Sequence, residues 1–278
     1  MTSSPTRPHT ACCAGASCDF AFEYEVGKSP LMLEIEQRVR GSDYGATSWT
    51  TRAQAEATVA RLGLDTGRRV LDIGSGAGWP ALFLATESGC EVVLSDVPLI
   101  GLQLAARRAA HDGVDNRCSL LAADGAALPF ADGTFDRVHH SDVLCCMPDK
   151  RELLRECHRV GKRGALMEFS VISLTRQSLT DDERELLTLS GPPHPDAGGD
   201  YRTLLCDTRW DVLELHDVTQ EFSRCIDALL NEFAARRDEL VNLLGEDDYA
   251  ARIERRMSMR SALERGLFRR EIYLVRNR

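Results

Sequence analysis

Val70-Leu71-Asp72-Ile73-Gly74-Ser75-Gly76-Ala77-Gly78-Trp79-Pro80 is the stretch on which the reading of this chain turns. Val70, Leu71 and Ile73 show no polar alternation, the pattern of a parallel strand buried on both faces. Three glycines then alternate with small residues, so the backbone can turn sharply and approach a ligand without Cβ atoms in the way. Pro80 suits the first turn of a following helix, where its missing N–H costs nothing. Strand, glycine turn and helix N-terminus together predict a cradle for a nucleotide-like ligand in a doubly wound α/β fold.

The glycine spacing narrows the ligand. A dinucleotide fingerprint reads G-x-G-x-x-G and sets a pyrophosphate on the helix dipole. Here the spacing is G-x-G-x-G, and Asp72 stands two residues before Gly74, where it would repel a pyrophosphate and suit a cation. In these residues the chain resembles the class I S-adenosylmethionine-dependent methyltransferases of small-molecule type. The downstream residues extend the resemblance. A second strand, Glu91–Ser95, ends in Asp96, about twenty residues past the glycine turn, where α/β folds place a ribose-binding acid. A third, Cys118–Ala122, closes in Ala123-Asp124-Gly125, and the run Leu128-Pro129-Phe130 with Asp132-Gly133-Thr134-Phe135-Asp136 follows.

The resemblance implies a Rossmann-like sheet of seven strands with helices on both faces, in the order 3-2-1-4-5-7-6 with the last strand antiparallel. It implies S-adenosyl-L-methionine as cofactor, leaving S-adenosyl-L-homocysteine, and methyl transfer to N, O or C of a small metabolite. Asp72, Gly74, Gly76, Trp79, Asp96, Val97, Asp124, Gly125 and His140 are then the expected cofactor contacts. Asp96 would hold the ribose, Val97 would pack on the adenine and Asp124 would accept from its amine. Tyr44 is expected near the sulfonium, because an aromatic face attracts an onium cation. Tyr24, Trp49 and His194 are expected around the acceptor.

For proton transfer, His140 is the first candidate, since it ends the fourth strand, Phe135–His140. Alternation along a strand sends His139, a second choice with His194, to the opposite face, so at most one of the two points into the cleft. Asp142 either attracts a cationic amine or caps the helix after it. Relatives carry Trp-Ser and His-His in this region, whereas this chain has His139-His140 and Cys145-Cys146. The cysteines raise a metalloid (arsenite) methyltransferase as an alternative, beside a methyltransferase-fold cyclase and a nicotinamide-dependent oxidoreductase.

The chain of 278 residues is 43% hydrophobic, enough for one sizeable α/β core. Its formal charge of −9 argues against nucleic-acid binding, which needs basic surface. No run is apolar enough for a membrane span, and no leader is evident, so a cytoplasmic protein is expected. Residues 1–18 read as a flexible arm. Cys12, Cys13 and Cys18 lie there with His9, in a spacing that matches no common zinc site. No metal is expected.

Residues 19–51 read as a lid segment. Thr51-x-x-Gln54 opens the helix Arg52–Leu62 as a capping box and Gly63 ends it. The core spans 52–217 and 268–278. Between them, residues 218–267 hold two long amphipathic helices, about Phe222–Leu244 and Asp247–Arg265, read as a helical cap over the acceptor. The alternative is a homodimer interface built from Leu229, Leu230, Phe233, Leu240 and Leu243.

Overall fold

The computed structural model describes residues 20–278, and the expectations placed on residues 1–18 lie outside the described residues. Seven strands, β1 (Arg69–Ile73), β2 (Glu91–Asp96), β3 (Cys118–Ala122), β4 (Phe135–Ser141), β5 (Gly161–Leu174), β6 (Trp210–Asp217) and β7 (Phe268–Asn277), form one sheet. Its order is β3-β2-β1-β4-β5-β7-β6. The pairs from β3 to β5 are parallel, and β7 runs antiparallel to both β5 and β6. The order and the reversed last strand agree with the expectation from the resemblance.

Helices cover both faces, as the unbroken apolar strands require. Val70 and Leu94 face one core with Leu82 and Leu102, whereas Leu71 and Val138 face the other with Phe169 and Leu153. Local signals account for several helix ends. The helix α3 (Arg52–Leu62) carries both bonds of its capping box, Gln54 N to Thr51 Oγ1 at 3.3 Å and Thr51 N to Gln54 Oε1 at 3.4 Å. It stops at Gly63, whose φ is 57°. The helix α4 (Ala81–Ser88) follows the glycine turn and α5 (Leu99–His111) follows Pro98. The helix α6 (Lys150–Val160) is capped by Asp149, which accepts from the amides of Arg151 and Glu152.

Two extents differ from expectation. The fifth strand is longer than 165–171, because β7 pairs with it residue for residue from Leu166 to Leu174. The expected helix 222–244 is two helices, α9 (Thr219–Ala235) and α10 (Arg237–Leu244), with a break at Arg236. Arg236 turns out there to bind Glu34 at 2.7 Å and Glu232 at 3.3 Å.

Helices α7 (Asp181–Ser190) and α8 (Tyr201–Asp207) lie between β5 and β6, and the last long helix, α11 (Glu246–Glu264), completes the insertion between β6 and β7. Near the other end of the chain, α1 (Phe20–Gly27) and α2 (Pro30–Arg40) precede the sheet. Ile35 of α2 shares a small separate core with Leu229, Phe233, Leu240 and Tyr249 of the insertion. Of the residues proposed for a dimer, Leu229, Phe233 and Leu240 are packed inside the chain, at most 6% exposed, whereas Leu230 and Leu243 are half-buried. No helix among the described residues is long and apolar enough to cross a membrane.

Candidate functional site

The carboxyl ends of β1 and β2 meet the glycine turn. Gly74 N and Ser75 N both donate to Ser95 O, at 2.7 and 3.1 Å, which ties the turn to the neighbouring strand. Gly74 and Gly76 sit at φ 67° and 53°, a region that costs a side chain roughly 1–2 kcal/mol. Space is equally tight. A Cβ on Gly74 would lie 2.5 Å from Val143 Cγ2, and one on Gly76 would lie 2.5 Å from the Tyr24 hydroxyl oxygen.

Asp96 ends β2 as expected. Its carboxylate accepts from Gly76 N at 2.6 Å and from Val97 N at 2.7 Å. Burial pushes its acidity weaker than usual, against those two amide bonds. Asp96, Val97, Asp124 and Gly125 all line one cavity with Gly74 and Gly76. Asp124 shapes its own turn by accepting from Ala126 N at 2.9 Å. Val97 is 66% exposed, an apolar lip at the mouth.

This cavity encloses about 510 Å³ and continues from the strand tips to α1, α2, α9 and α11. Its far part is walled by Ile35, Trp49, Leu229, Phe233 and Met259, joined by Ser141 at the end of β4, by Asp142, Cys145 and Cys146 in the turn after it, and by Ile172 of β5. The Cys145 thiol donates to Asp142 O at 3.0 Å. Trp79 closes the wall from behind, with its indole N–H donating to Thr50 O at 2.8 Å.

Several expected positions are corrected. Asp72 does not line the cavity. It is buried beneath the turn, paired with His139 Nδ1 at 2.6 Å, because the register sets the two residues side by side on β1 and β4. His140 does not face the cavity either. It is fully buried, stacks on Phe169 at 4.9 Å and 20°, and neither ring nitrogen has a hydrogen-bond partner. Burial, with the charge of His139 beside it, lowers its pKa to about 3. Alternation does send the two histidines to opposite faces, but both faces of this sheet are covered, so both rings point into core.

Tyr44 and Tyr24 exchange places. Tyr44 lies away from the cavity, under the Arg108 guanidinium at 4.0 Å and bonded to Asp112 at 3.0 Å. Tyr24 is the aromatic on the glycine turn, buried and hydrogen-bonded to Thr47. His194 is exposed and outside the cavity, although Pro192 and Pro193 line it. Its carbonyl accepts from Lys150 Nζ at 2.8 Å.

Asp142 does reach the cavity, but not as a free carboxylate. Arg270, fully buried on β7, donates to it through Nε at 3.0 Å and Nη2 at 3.0 Å. Ser170 Oγ adds a bond at 3.1 Å. Arg270 also reaches Gln54 Oε1 at 3.1 Å. This arginine escaped the sequence reading. The only hint was a charged residue inside a strand expected to be buried.

Comparison with known proteins agrees with this geometry. Residues 71–169 match the methyltransferase domain family. The chain is 32% identical over 199 residues to the methyltransferase GfsG of Streptomyces halstedii, covering 70% of each chain. It is 34% identical over 138 residues to the 27-O-demethylrifamycin SV methyltransferase of Amycolatopsis mediterranei, spanning half the length of that relative (49% and 50% of the two chains). Among solved structures, the [4+2]-cyclase SpnF superposes with a TM-score of 0.73 at 21% identity, over 95% of this chain and 97% of that one. That likeness is one of fold. The family match and the 32% identical relative, covered over 70% of its length, decide the assignment: this chain belongs to the class I methyltransferase family.

Proposed function

We propose that the protein transfers the methyl group of S-adenosylmethionine to a small-molecule acceptor held in the apolar part of the cavity. The observation that carries the reading is the continuity of that cavity, from the tips of β1, β2 and β3 to a chamber walled by Trp49, Phe233 and Met259. The strand tips fit such a cofactor. The turn leaves no room for side chains at Gly74 and Gly76, so backbone faces the ligand. Each oxygen of Asp96 accepts one amide bond and keeps a second lone pair for a hydroxyl. Gly74, Gly76 and Asp96 would hold the amino-acid and ribose portions, and Val97, Asp124 and Gly125 the purine.

When bound, the cofactor supplies a methyl group already activated on a sulfonium. The chain's own work is then alignment and exclusion of water. Tyr24 packs over the turn from α1, and Trp49 closes the chamber against Phe222 at 5.0 Å. No histidine among the described residues lines the cavity. Asp142 is neutralised by Arg270 at 3.0 Å. We therefore assign the rate enhancement to positioning rather than to a histidine base.

Calorimetric titration tests the cofactor half of this reading. S-adenosylhomocysteine should bind one per chain, and NADH should not bind. Methyl-labelled cofactor incubated with hydroxylated and unsaturated apolar acceptors should then yield a labelled product. Binding of NADH alone would overturn the assignment.

A further inference from the structure

Arg252, Arg255, Arg256 and Met259 recur at the spacing that puts residues on one face of a helix, and all four line the cavity from α11. The methyltransferase reading gives these arginines nothing to do. Arg252 Nη1 binds Glu23 at 2.8 Å, while its Nη2 is buried without a hydrogen-bond partner. Arg256 forms no ion pair with any described carboxylate; its guanidinium lies 5.0 Å over the ring of Trp49. Burial, with the charge of Arg255 beside it, lowers its pKa to about 10. Half-buried on the chamber wall, this guanidinium offers five donors and meets no described carboxylate.

The nearby carboxylates are already engaged. Glu23 is held by Arg252. Glu36 accepts from Ser42 Oγ at 2.6 Å and from the amides of Tyr44 and Ala46. Asp142 belongs to Arg270. The chamber is thus apolar with a cationic side, formed by the arginines of α11 and joined from α2 by Arg40, whose Nη2 is already taken by Ala46 O at 3.1 Å, a pattern complementary to an apolar molecule bearing an anion.

We propose that Arg256, supported by Arg252, binds an anionic oxygen group, a carboxylate or a phosphate, on an otherwise apolar acceptor. The proposal rests on the methyltransferase reading of the cavity. Charge and apolar body are recognised by different surfaces: the anion by α11, the body by Trp49, Phe233 and Leu229. The acceptor is therefore oriented along one axis, with its anionic end on α11 and the remainder free to reach the strand tips.

Paired fluorescent probes test it. Full-length protein saturated with S-adenosylhomocysteine is titrated with 8-anilinonaphthalene-1-sulfonate and with neutral N-phenyl-1-naphthylamine, which share an aromatic body. The sulfonate should bind about tenfold tighter or more, the gain expected for one charge-assisted pair. Arg256→Met should remove that advantage and leave the neutral probe within about twofold, and Arg256→Lys should keep part of it. Octanoate and octyl phosphate should displace the sulfonate probe where octan-1-ol at equal concentration does not. The stronger of the two assigns carboxylate or phosphate. Equal affinity for both probes in the wild-type protein, an unchanged sulfonate affinity in Arg256→Met, or displacement no better than by octan-1-ol would overturn the proposal. The wild-type comparisons need no variant, so misfolding of Arg256→Met leaves them decisive. Loss of S-adenosylhomocysteine binding in the wild-type protein would instead overturn the methyltransferase reading itself.

Discussion

Arg270 of β7 and Asp142 after β4 are locked together across β5, with three nitrogen–oxygen contacts between 3.0 and 3.2 Å and little exposure on either side. Asp142 has φ 56°, a backbone state that Asn and Asp tolerate better than most residues. The pair fixes the cavity wall between Ser141 and Cys145.

Breaking that pair from the arginine side should cost about 3–5 kcal/mol, because it leaves a buried carboxylate without its counter-charge. Urea unfolding of Arg270→Met measures this. Asp142→Asn keeps the backbone state and an acceptor oxygen, so its loss should be smaller, with turnover per folded molecule retained within about tenfold. A general base contributes about 100-fold or more. A hundredfold loss of turnover at unchanged stability would make Asp142 a base in spite of its pairing with Arg270.

Asp96→Ala should weaken S-adenosylhomocysteine binding about tenfold or more, since a hydrogen bond to an ionised group is worth about 1.5–3 kcal/mol. Calorimetry reads the constant directly. An unchanged constant removes Asp96 from the cofactor site.

Gly74→Ala should destabilise the fold by about 2–4 kcal/mol, combining the left-handed backbone cost with the clash on Val143. Adding Val143→Ala should recover the clash and not the backbone cost. Thermal or urea unfolding of both variants separates the two contributions. A Gly74→Ala protein as stable as the parent would mean that the turn relaxes freely.

His140 sets a pH dependence. Its pKa falls from the ordinary 6.5 to about 3 on folding, so the unfolded chain binds the extra proton between those values. Stability is then lost as pH falls below about 6.5. His139 acts with the opposite sign. Burial opposes its charge, but Asp72 holds the imidazole above its ordinary value, so its contribution is present at low pH and lost as pH rises. His140→Phe keeps the stack on Phe169 and leaves His139 in place, so the difference isolates His140. Relative to this variant the wild type should lose roughly 1.4 kcal/mol between pH 7.5 and pH 5.5. Urea unfolding at the two pH values checks it; a constant difference would falsify the assignment. Turnover should survive the substitution, because His140 does not touch the cavity.

The framework was legible because it is written in local signals. The glycine turn, the Thr51–Gln54 capping box and Pro98 act within a few residues, and strand ends followed from them. Asp96 was legible for the same reason, as the residue at which an apolar strand stops. The features that escaped depend on distant partners. Arg270 meets Asp142 from 128 positions away. Tyr24 and Tyr44 are both aromatics ahead of the core, and only the docking of α1 on the glycine turn decides between them. The two histidines were misread because strand alternation says which face a side chain takes, not whether that face is cavity or core. The break at Arg236 answers to Glu34, which lies 202 positions earlier in the chain.

The small core shared by Ile35, Leu229, Phe233, Leu240 and Tyr249 binds together helices from opposite ends of the polypeptide. It is distinct from the two cores that stabilise the sheet. Helices α9 and α11 reach beyond that small core, since Phe222, Ile226, Met259, Ala262 and Leu263 belong to a sheet core, so the chamber's roof is keyed to the sheet by side chains as well as by its chain ends. Exchange of Ile35, Leu229 or Phe233, which belong to the small core, would reshape the chamber and leave the strand tips beneath untouched.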